Sequence, residues 1–227
     1  MPAVLFDMDG VLVDSERYWP DYHRDYVFER ATAGEAPDPA EFDGLGVTDT
    51  YAALAERDAL RVDEERFVEL NEEAAQRIYG EEVALLDGFE SLAGALRGAG
   101  VPIGVVSSSY RRWIDIVLER FDLADRFDVV VSGEALDGPS KPEPHVYERA
   151  AAELAVEPQT CLAVEDSRHG VAAARAAGMD AVAYRDEAAE RIDAATATVT
   201  DPEELADWVT EWARREKVRA RDTVDGR

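Results

Sequence analysis

The chain has 227 residues, and its 50 acidic against 24 basic residues give a formal net charge of −26. The electrostatic field of such a protein repels nucleic acids and anionic membrane surfaces, which excludes both as expected partners. Hydrophobic residues make up 46% of the sequence, the ordinary content of a globular protein, which excludes disorder of the chain as a whole.

The predicted core is an alternation of short apolar runs and helical patterns. Five runs end in polar residues and have the continuous apolar character of parallel strands buried on both faces: residues 3–9, 103–109, 129–133, 161–167 and 181–184. Helical periodicity lies between them at residues 89–99, 111–121, 145–154 and 167–177. This alternation predicts an α/β fold with a doubly wound, Rossmann-like parallel sheet.

One long interval interrupts the alternation. Residues 15–85 carry helical periodicity without a convincing buried strand, which predicts an inserted helical cap domain. The core domain then consists of residues 1–14 and 86–227. Ligands of open α/β sheets bind outside the carboxyl ends of the strands, so a cap inserted after the first strand is expected to lie over that edge.

The predicted cap begins with a cluster of aromatic and imidazole side chains on one helix: Tyr18, Trp19, Tyr22, His23 and Tyr26. Two roles are open for them. They either line a substrate pocket or form the core of the cap itself.

The chain ends in a charged tail, residues 211–227, which is expected to fray. Its basic residues form a cluster: Arg214, Arg215, Lys217, Arg219 and Arg221. A solvated helix end is the favoured interpretation of this cluster, and a binding patch is the alternative.

Other features concern the setting in which the protein works. Only two basic residues are lysines, Lys141 and Lys217, and an acidic, lysine-poor surface favours a halophilic protein, with an ordinary acidic cytosolic enzyme as the alternative. The first ten residues lack the basic start of a signal peptide, and the longest uncharged stretch, residues 98–110, is too short to span a bilayer. We therefore expect a cytoplasmic protein, whose oligomeric state the sequence leaves open.

Two aspartates end the first predicted strand. Asp7 and Asp9 are two residues apart, so an extended backbone points both carboxylates the same way. One carboxylate of such a pair can attack phosphorus while the other transfers protons to and from the leaving group and water. A single aspartate in so acidic a chain would be read as a surface residue, but two charges at the end of a buried strand favour a catalytic pair.

Two further elements offer groups that bind phosphate. Ser107 and Ser108 follow the second strand, where hydroxyl and backbone N–H groups can hold phosphoryl oxygens, although serines there are also common helix caps. Lys141 stands between turn-forming residues in a chain that otherwise uses arginine, which indicates a need for a compact point charge.

The strand at residues 161–165 ends in a second acidic pair. Glu165 and Asp166 provide the hard oxygen ligands that Mg²⁺ prefers, with the Asp7 carboxylate and the Asp9 carbonyl as further ligands. The three histidines are too scattered for a zinc site, and no Walker A or G-x-G-x-x-G motif follows a strand. The sequence therefore predicts a magnesium site without a nucleotide-binding loop.

Taken in order, the motifs DMDGVLVDS, VVSSS, SKPEPHVY and VEDSRHGVAAARAAGM resemble the haloacid dehalogenase superfamily, in its branch of phosphoglycolate phosphatase and β-phosphoglucomutase-like proteins. The resemblance spans the core. It implies a Mg²⁺-dependent phosphatase acting on a small phosphorylated metabolite, in which Asp7 forms an aspartyl-phosphate and Asp9 is the general acid and base.

The same resemblance implies roles for the other matching positions. Ser107 and Lys141 would hold the phosphoryl group, and Asp166, helped by Glu165, would bind Mg²⁺.

Two alternative functions stay open. Against a β-phosphoglucomutase-like isomerase, Trp19 stands where those mutases carry a histidine, and Val47 where they carry an arginine in the cap. Against a non-catalytic phosphate-binding protein on the same fold, four motif residues are intact: Asp7, Asp9, Lys141 and Asp166. Carbon–halogen hydrolysis is not expected, because the hydrolases of that kind lack the second aspartate and need no metal.

Overall fold

The computed structural model describes residues 1–42, 45–57, 59–135, 139–185 and 191–225. The chain divides into two compact units. One, here called the core unit, comprises Met1–Asp14 and Leu85–Arg227, and the other, the inserted unit, comprises Ser15–Ala84.

Among the described residues of the core unit, six strands form one sheet: β1 (Ala3–Phe6), β2 (Ile103–Ser107), β3 (Val129–Ser132), β4 (Cys161–Glu165), β5 (Asp180–Tyr184) and β6 (Ala197–Val199). All neighbouring strands are parallel, in the order β3-β2-β1-β4-β5-β6. β1, β2 and β4 are buried along their whole length, which is why they read as continuous apolar runs. The predicted doubly wound α/β fold is confirmed.

The inserted unit is helical. Its helices are α1 (Trp19–Tyr22), α2 (Glu29–Ala31), α3 (Val47–Ala55) and α4 (Glu64–Arg77), with π-helical segments at His23–Phe28 and Ile78–Glu82. Apolar side chains from these helices form a core of their own: Val27, Phe28, Ala31, Phe42, Leu54, Phe67, Leu70 and Ala74. Trp19, Tyr22 and Tyr26 pack against that core, which supports the second of the two roles open to the aromatic cluster.

In the described part of the core unit, five helices flank the sheet: α5 (Phe89–Gly98), α6 (Arg111–Arg120), α7 (His145–Glu153), α8 (Arg168–Ala176) and α9 (Pro202–Asp225). Short 3₁₀ turns occur at Ser15–Arg17, Pro39–Phe42, Ala124–Arg126, Gly133–Ala135 and Pro158–Thr160. The first four flanking helices agree closely with the predicted helical patterns. Ser167 caps α8, because its Oγ accepts a hydrogen bond of 2.9 Å from the N–H of Gly170.

The last two elements differ from the prediction. β6 is only three residues long and has one buried residue, Val199, so it lacks the apolar run by which the other strands were found. The tail expected to fray is helical through Asp225 as the second half of α9, which begins at Pro202 and buries Leu205, Val209 and Trp212. Within the described chain, α9 and the other helices all lack the combination of length and apolar character needed to cross a membrane.

Candidate active site at the carboxyl edge of the sheet

Polar side chains meet where three neighbouring strands end. Asp7 follows β1 directly, while Ser107 and Glu165 are the last residues of β2 and β4. Since β1 lies between β2 and β4, these three ends are adjacent in the sheet. Lys141 reaches the same region from the segment before α7.

Lys141 is the cationic centre of this region. Its Nζ donates to Asp7 Oδ1 over 2.8 Å, to Glu165 Oε1 over 2.6 Å and to the carbonyl oxygen of Val106 over 3.3 Å. The side chains of Lys141 and Glu165 are 7% and 0% exposed, so their ion pair is shielded from water. Burial lowers the pKa of Lys141, but the charges and hydrogen bonds of Asp7 and Glu165 outweigh burial and raise that pKa. The lysine therefore stays protonated.

Asp7 lies in crowded, negatively charged surroundings. Burial raises its pKa well above the usual value, the Lys141 ammonium lowers it, and the charges of Glu165, Asp166 and Asp9 raise it further. Asp7 thus has three carboxylate neighbours and one lysine contact. A bound divalent cation would lower the pKa of Asp7 and favour its ionised form.

The donor set fits a hard divalent cation. Asp7, Glu165 and Asp166 each offer a carboxylate oxygen, and these oxygens lie within 4.8 Å of one another. Oxygen donors with net negative charge are what Mg²⁺ selects, since it also keeps waters and substrate phosphate in its coordination shell. Asp9 is half-buried beside Asp7, and its carbonyl stays a predicted ligand.

Glu165 differs from the two aspartates because its oxygens already accept hydrogen bonds. Lys141 Nζ and the buried Tyr147 hydroxyl donate to Oε1, and Ser167 Oγ donates to Oε2 over 3.2 Å. The Lys141 ammonium also lies 5.3 Å from the centre of the Tyr147 ring. Glu165 is thus suited to orient Lys141, and Asp7 and Asp166 are better placed as direct ligands. Tyr147 was not among the predicted site residues, and its signal in the sequence is its place in the motif SKPEPHVY.

Two serines, one at the end of β2 and one in the turn that follows it, form hydrogen bonds with Asp9. Ser109 Oγ donates to Asp9 Oδ2 over 2.7 Å, and Ser107 Oγ lies 3.4 Å from the same oxygen. The turn itself is fixed, because Ser107 Oγ accepts from the N–H of Ser109 over 3.0 Å, and Ser132 Oγ donates to the Ser109 carbonyl over 2.7 Å. Ser108, also predicted to bind phosphate, is exposed in this turn. Ser109 was not singled out by the sequence analysis, although it belongs to the same serine run.

Arg185, directly after β5, supports the site from the next strand. Its Nη1 donates to the carbonyl oxygen of Asp166 over 2.7 Å. Its Nε is buried and has no hydrogen-bond partner among the described residues. The sequence carried a signal for Arg185 only in its position at a strand end.

Two glycines leave room for the acidic side chains. Gly10 has φ +71°, and a Cβ there would overlap the Asp166 carboxylate. A Cβ at Gly170, in the first turn of α8, would overlap the Glu165 carboxylate. The carboxylates of Asp166 and Glu165 therefore pack directly on backbone.

Gly170→Ala is expected to destabilise the protein by about 2–4 kcal/mol, because the added methyl displaces Glu165 from Lys141 and Tyr147. The matched control is Gly94→Ala, in the interior of α5, where an added Cβ has nothing within 4 Å. There the change should stabilise the protein by about 0.5–1 kcal/mol. Urea unfolding of both variants measures the difference, and equal stabilities would contradict the packing described.

Residues 4–184 match the family described as haloacid dehalogenase-like hydrolase. The match extends from β1 to the end of β5 and includes every site residue named above except Arg185.

Individual relatives are similar over most of their length. Hexitol phosphatase B of Escherichia coli (strain K12) is 34% identical over 191 residues, covering 79% of the chain and 82% of that protein. Beta-phosphoglucomutase of Bacillus subtilis (strain 168) is 30% identical over 194 residues, covering 80% and 82%. The crystal structure of a HAD family hydrolase from Deinococcus radiodurans R1, with bound phosphate and sodium, has a TM-score of 0.69 at 28% identity, covering 93% and 96% of the two chains.

Proposed function

Since the chain belongs to the haloacid dehalogenase-like hydrolase family, as its motifs predicted, we propose that it is a Mg²⁺-dependent phosphatase of small phosphate monoesters. The observation that carries this proposal is the meeting of Asp7, Asp166 and Lys141 at the carboxyl edge of the sheet. A nucleophilic carboxylate, a place for a divalent cation and a lysine are the groups that phosphoryl transfer needs.

In the proposed mechanism, Asp7 is the nucleophile. One Asp7 oxygen forms a bond to phosphorus as the bond from phosphorus to the alcohol oxygen breaks, and Asp9 gives that oxygen a proton. Asp9, now a base, takes a proton from water, whose oxygen attacks the phosphorus and releases Asp7. The products are the alcohol and inorganic phosphate.

Charge stabilisation supplies most of the rate effect in such a reaction. Lys141, whose Nζ already contacts Asp7, is placed to bind phosphoryl oxygens, and Ser107 offers a hydroxyl beside Asp9. Asp7 and Asp166 would hold Mg²⁺, which when bound neutralises phosphate charge and lets a carboxylate approach an anion. Ser109 keeps the Asp9 carboxylate in a fixed orientation.

The first substrates to test are phosphorylated sugars and sugar alcohols, since one relative bears the name hexitol phosphatase B. The experiment is phosphate release from a panel of phosphate monoesters with Mg²⁺, with the same panel in chelator as control. Release that needs Mg²⁺ supports the proposal. Failure to hydrolyse every ester would favour the non-catalytic alternative.

The isomerase alternative is not favoured by the inserted unit. Trp19 packs against that unit's own core, and its Nε1 donates to the Tyr79 hydroxyl over 3.1 Å. Val47 packs against the same core. At both positions where related mutases carry polar groups, the side chain of this protein therefore packs against the core of the inserted unit. A hexose 1-phosphate assay separates the two functions, since a mutase yields the 6-phosphate and a phosphatase yields free sugar.

Salt is expected to raise both kcat/KM and the free energy of unfolding between dilute buffer and molar KCl. With a net charge of −26, the protein repels an anionic substrate, and its surface carboxylates repel one another. Salt screens both repulsions, because the Debye length falls from about 10 Å at 0.1 M to about 3 Å at 1 M. Sucrose at equal osmolality is the control, because it is excluded from the surface without screening charge. Steady loss of activity and stability with KCl would remove the reason for a halophilic assignment. That assignment and a cytoplasmic location stay predictions.

A further inference from the structure

The terminal helix α9 is divided by charge. Its first half, from Pro202 to Ala213, holds four acidic residues and no basic one: Glu203, Glu204, Asp207 and Glu211. The stretch from Arg214 to Arg221, here called the basic half, holds five basic residues and one acidic one, and two aspartates follow it before the helix ends: Arg214, Arg215, Lys217, Arg219 and Arg221, with Glu216, then Asp222 and Asp225. On a chain of net charge −26, this stretch is a local positive region.

Both signs lie on one exposed face of the helix. Glu203, Asp207 and Glu211 are exposed and four residues apart, so they form a line along the helix. Arg214 and Val218, also exposed and three and seven residues after Glu211, continue that line. The solvent face of α9 thus runs from acidic to basic along its axis.

The basic half has little of the burial that stabilises the first half. Among residues 214–220 none is buried, and Val218 is 54% exposed. This half is nevertheless held beside α5, since Lys217 Nζ donates to the carbonyl oxygen of Ala99. Helices in water depend on tertiary packing of an apolar stripe, so an exposed extension with an apolar residue at its centre is typical of a contact surface.

An apolar groove accompanies this half of α9. A cavity of about 370 Å³ lies between α5 and α9, lined by Ala95, Leu96, Ala99, Thr210, Ala213, Arg214, Lys217 and Val218. Its floor is made of small and aliphatic side chains, and its rim carries two cations. An occupant with apolar side chains flanked by carboxylates would match the groove.

We propose that this face binds a second copy of the chain, with the two α9 helices antiparallel about a two-fold axis near Ala213 and Arg214. An antiparallel arrangement sets the acidic half of each helix against the basic half of the other, so one surface is complementary to itself. It also covers Val218 and the groove in both copies. An acidic protein of another kind, or a nucleic acid, would match the basic half alone and offer no cation to the acidic line, in which Glu211 already pairs with Arg214 of the same helix.

Paired charge reversals test this arrangement in the full-length protein. In one variant, Arg214→Glu with Arg215→Glu reverses two charges of the basic half. In the other, Asp207→Arg with Glu211→Arg reverses two charges of the acidic line, without altering the acidic first turn that stabilises the helix N-terminus. Sedimentation equilibrium at 0.15 M KCl over a range of concentrations measures association, and circular dichroism verifies the fold.

We expect the unaltered chain to dimerise, each variant alone to dimerise at least about tenfold more weakly, and an equimolar mixture of the two variants to associate again as a heterodimer. Phosphatase activity of each variant should equal that of the unaltered chain, because α9 carries none of the site residues. A chain that stays monomeric at every concentration would overturn the proposal, as would dimers that neither variant weakens. Binding of a soluble polyanion such as heparin by the monomeric chain would instead assign the basic half to an acidic partner.

Discussion

Asp7→Asn is expected to lower turnover of every phosphate ester by at least about 10⁴-fold while the protein stays folded. The amide is nearly isosteric with the carboxylate but is a far weaker nucleophile. Its oxygen can still accept the hydrogen bond of 2.8 Å from Lys141 Nζ. Removing one of four crowded carboxylates also relieves repulsion, so the unfolding midpoint in chelator should be no lower than that of the unaltered chain.

The controls separate the nucleophile from its neighbours. Asp193→Asn, at an exposed carboxylate, should leave activity unchanged. Asp9→Asn should also be severe, but it leaves Asp7 able to accept a phosphoryl group from an ester with a good leaving group. Rapid quenching and peptide mass spectrometry then locate the phosphoryl group. A phosphoryl group on residue 9 would reverse the roles of the two aspartates.

The five strands that the sequence predicted each have at least three buried residues. β1 and β4 are buried on both faces, so their apolar runs depend little on what packs against them. β6 was not predicted because it is only three residues long and two of them are only partly buried. The second half of α9 escaped because a polar helical stretch and a fraying tail have the same composition, and helicity there depends on contacts that composition does not encode.

The candidate site also has residues that the sequence predicted and residues that it did not. Asp7, Ser107 and Glu165 stand at strand ends, and a parallel sheet brings such ends to one edge, so their meeting follows from the topology. The partners that orient them do not follow. Tyr147 contacts Glu165 from a helix face, and Arg185 contacts Asp166 from the loop after β5, which depends on side-chain geometry within the folded protein.

The sequence could not show which of the two adjacent serines, Ser108 or Ser109, contacts the site. Both follow the same strand, and a hydroxyl on either could serve phosphate or cap a helix. In the structure, Ser109 Oγ donates a hydrogen bond of 2.7 Å to Asp9 Oδ2, and Ser108 is exposed. The difference comes from the turn that Ser107 and Ser132 fix by hydrogen bonds. The conformation of this turn therefore decides which of two adjacent serines contacts Asp9.

Lys141→Met is expected to destabilise the protein by about 3–5 kcal/mol, because it leaves the buried carboxylates of Asp7 and Glu165 without their shared cation. Methionine has a similar unbranched length, so the loss reports charge more than volume. The kcat/KM of the variant molecules that remain folded should be about 10²–10³-fold below that of the unaltered enzyme, because a donor to the phosphoryl group is missing. Urea unfolding and phosphate release measure the two effects.

The chain supplies a matched control in its only other lysine. Lys217→Met removes a surface lysine that donates to the carbonyl oxygen of Ala99, and it should cost less than about 1 kcal/mol and leave kcat/KM unchanged. A second variant, Lys141→Met with Glu165→Gln, tests the cause. Because it removes a negative charge together with the positive one, part of the lost stability should return without any return of activity. If the double variant is as unstable as the sum of the two single changes, Lys141 stabilises the fold by packing, and the charge balance assigned to the site is wrong.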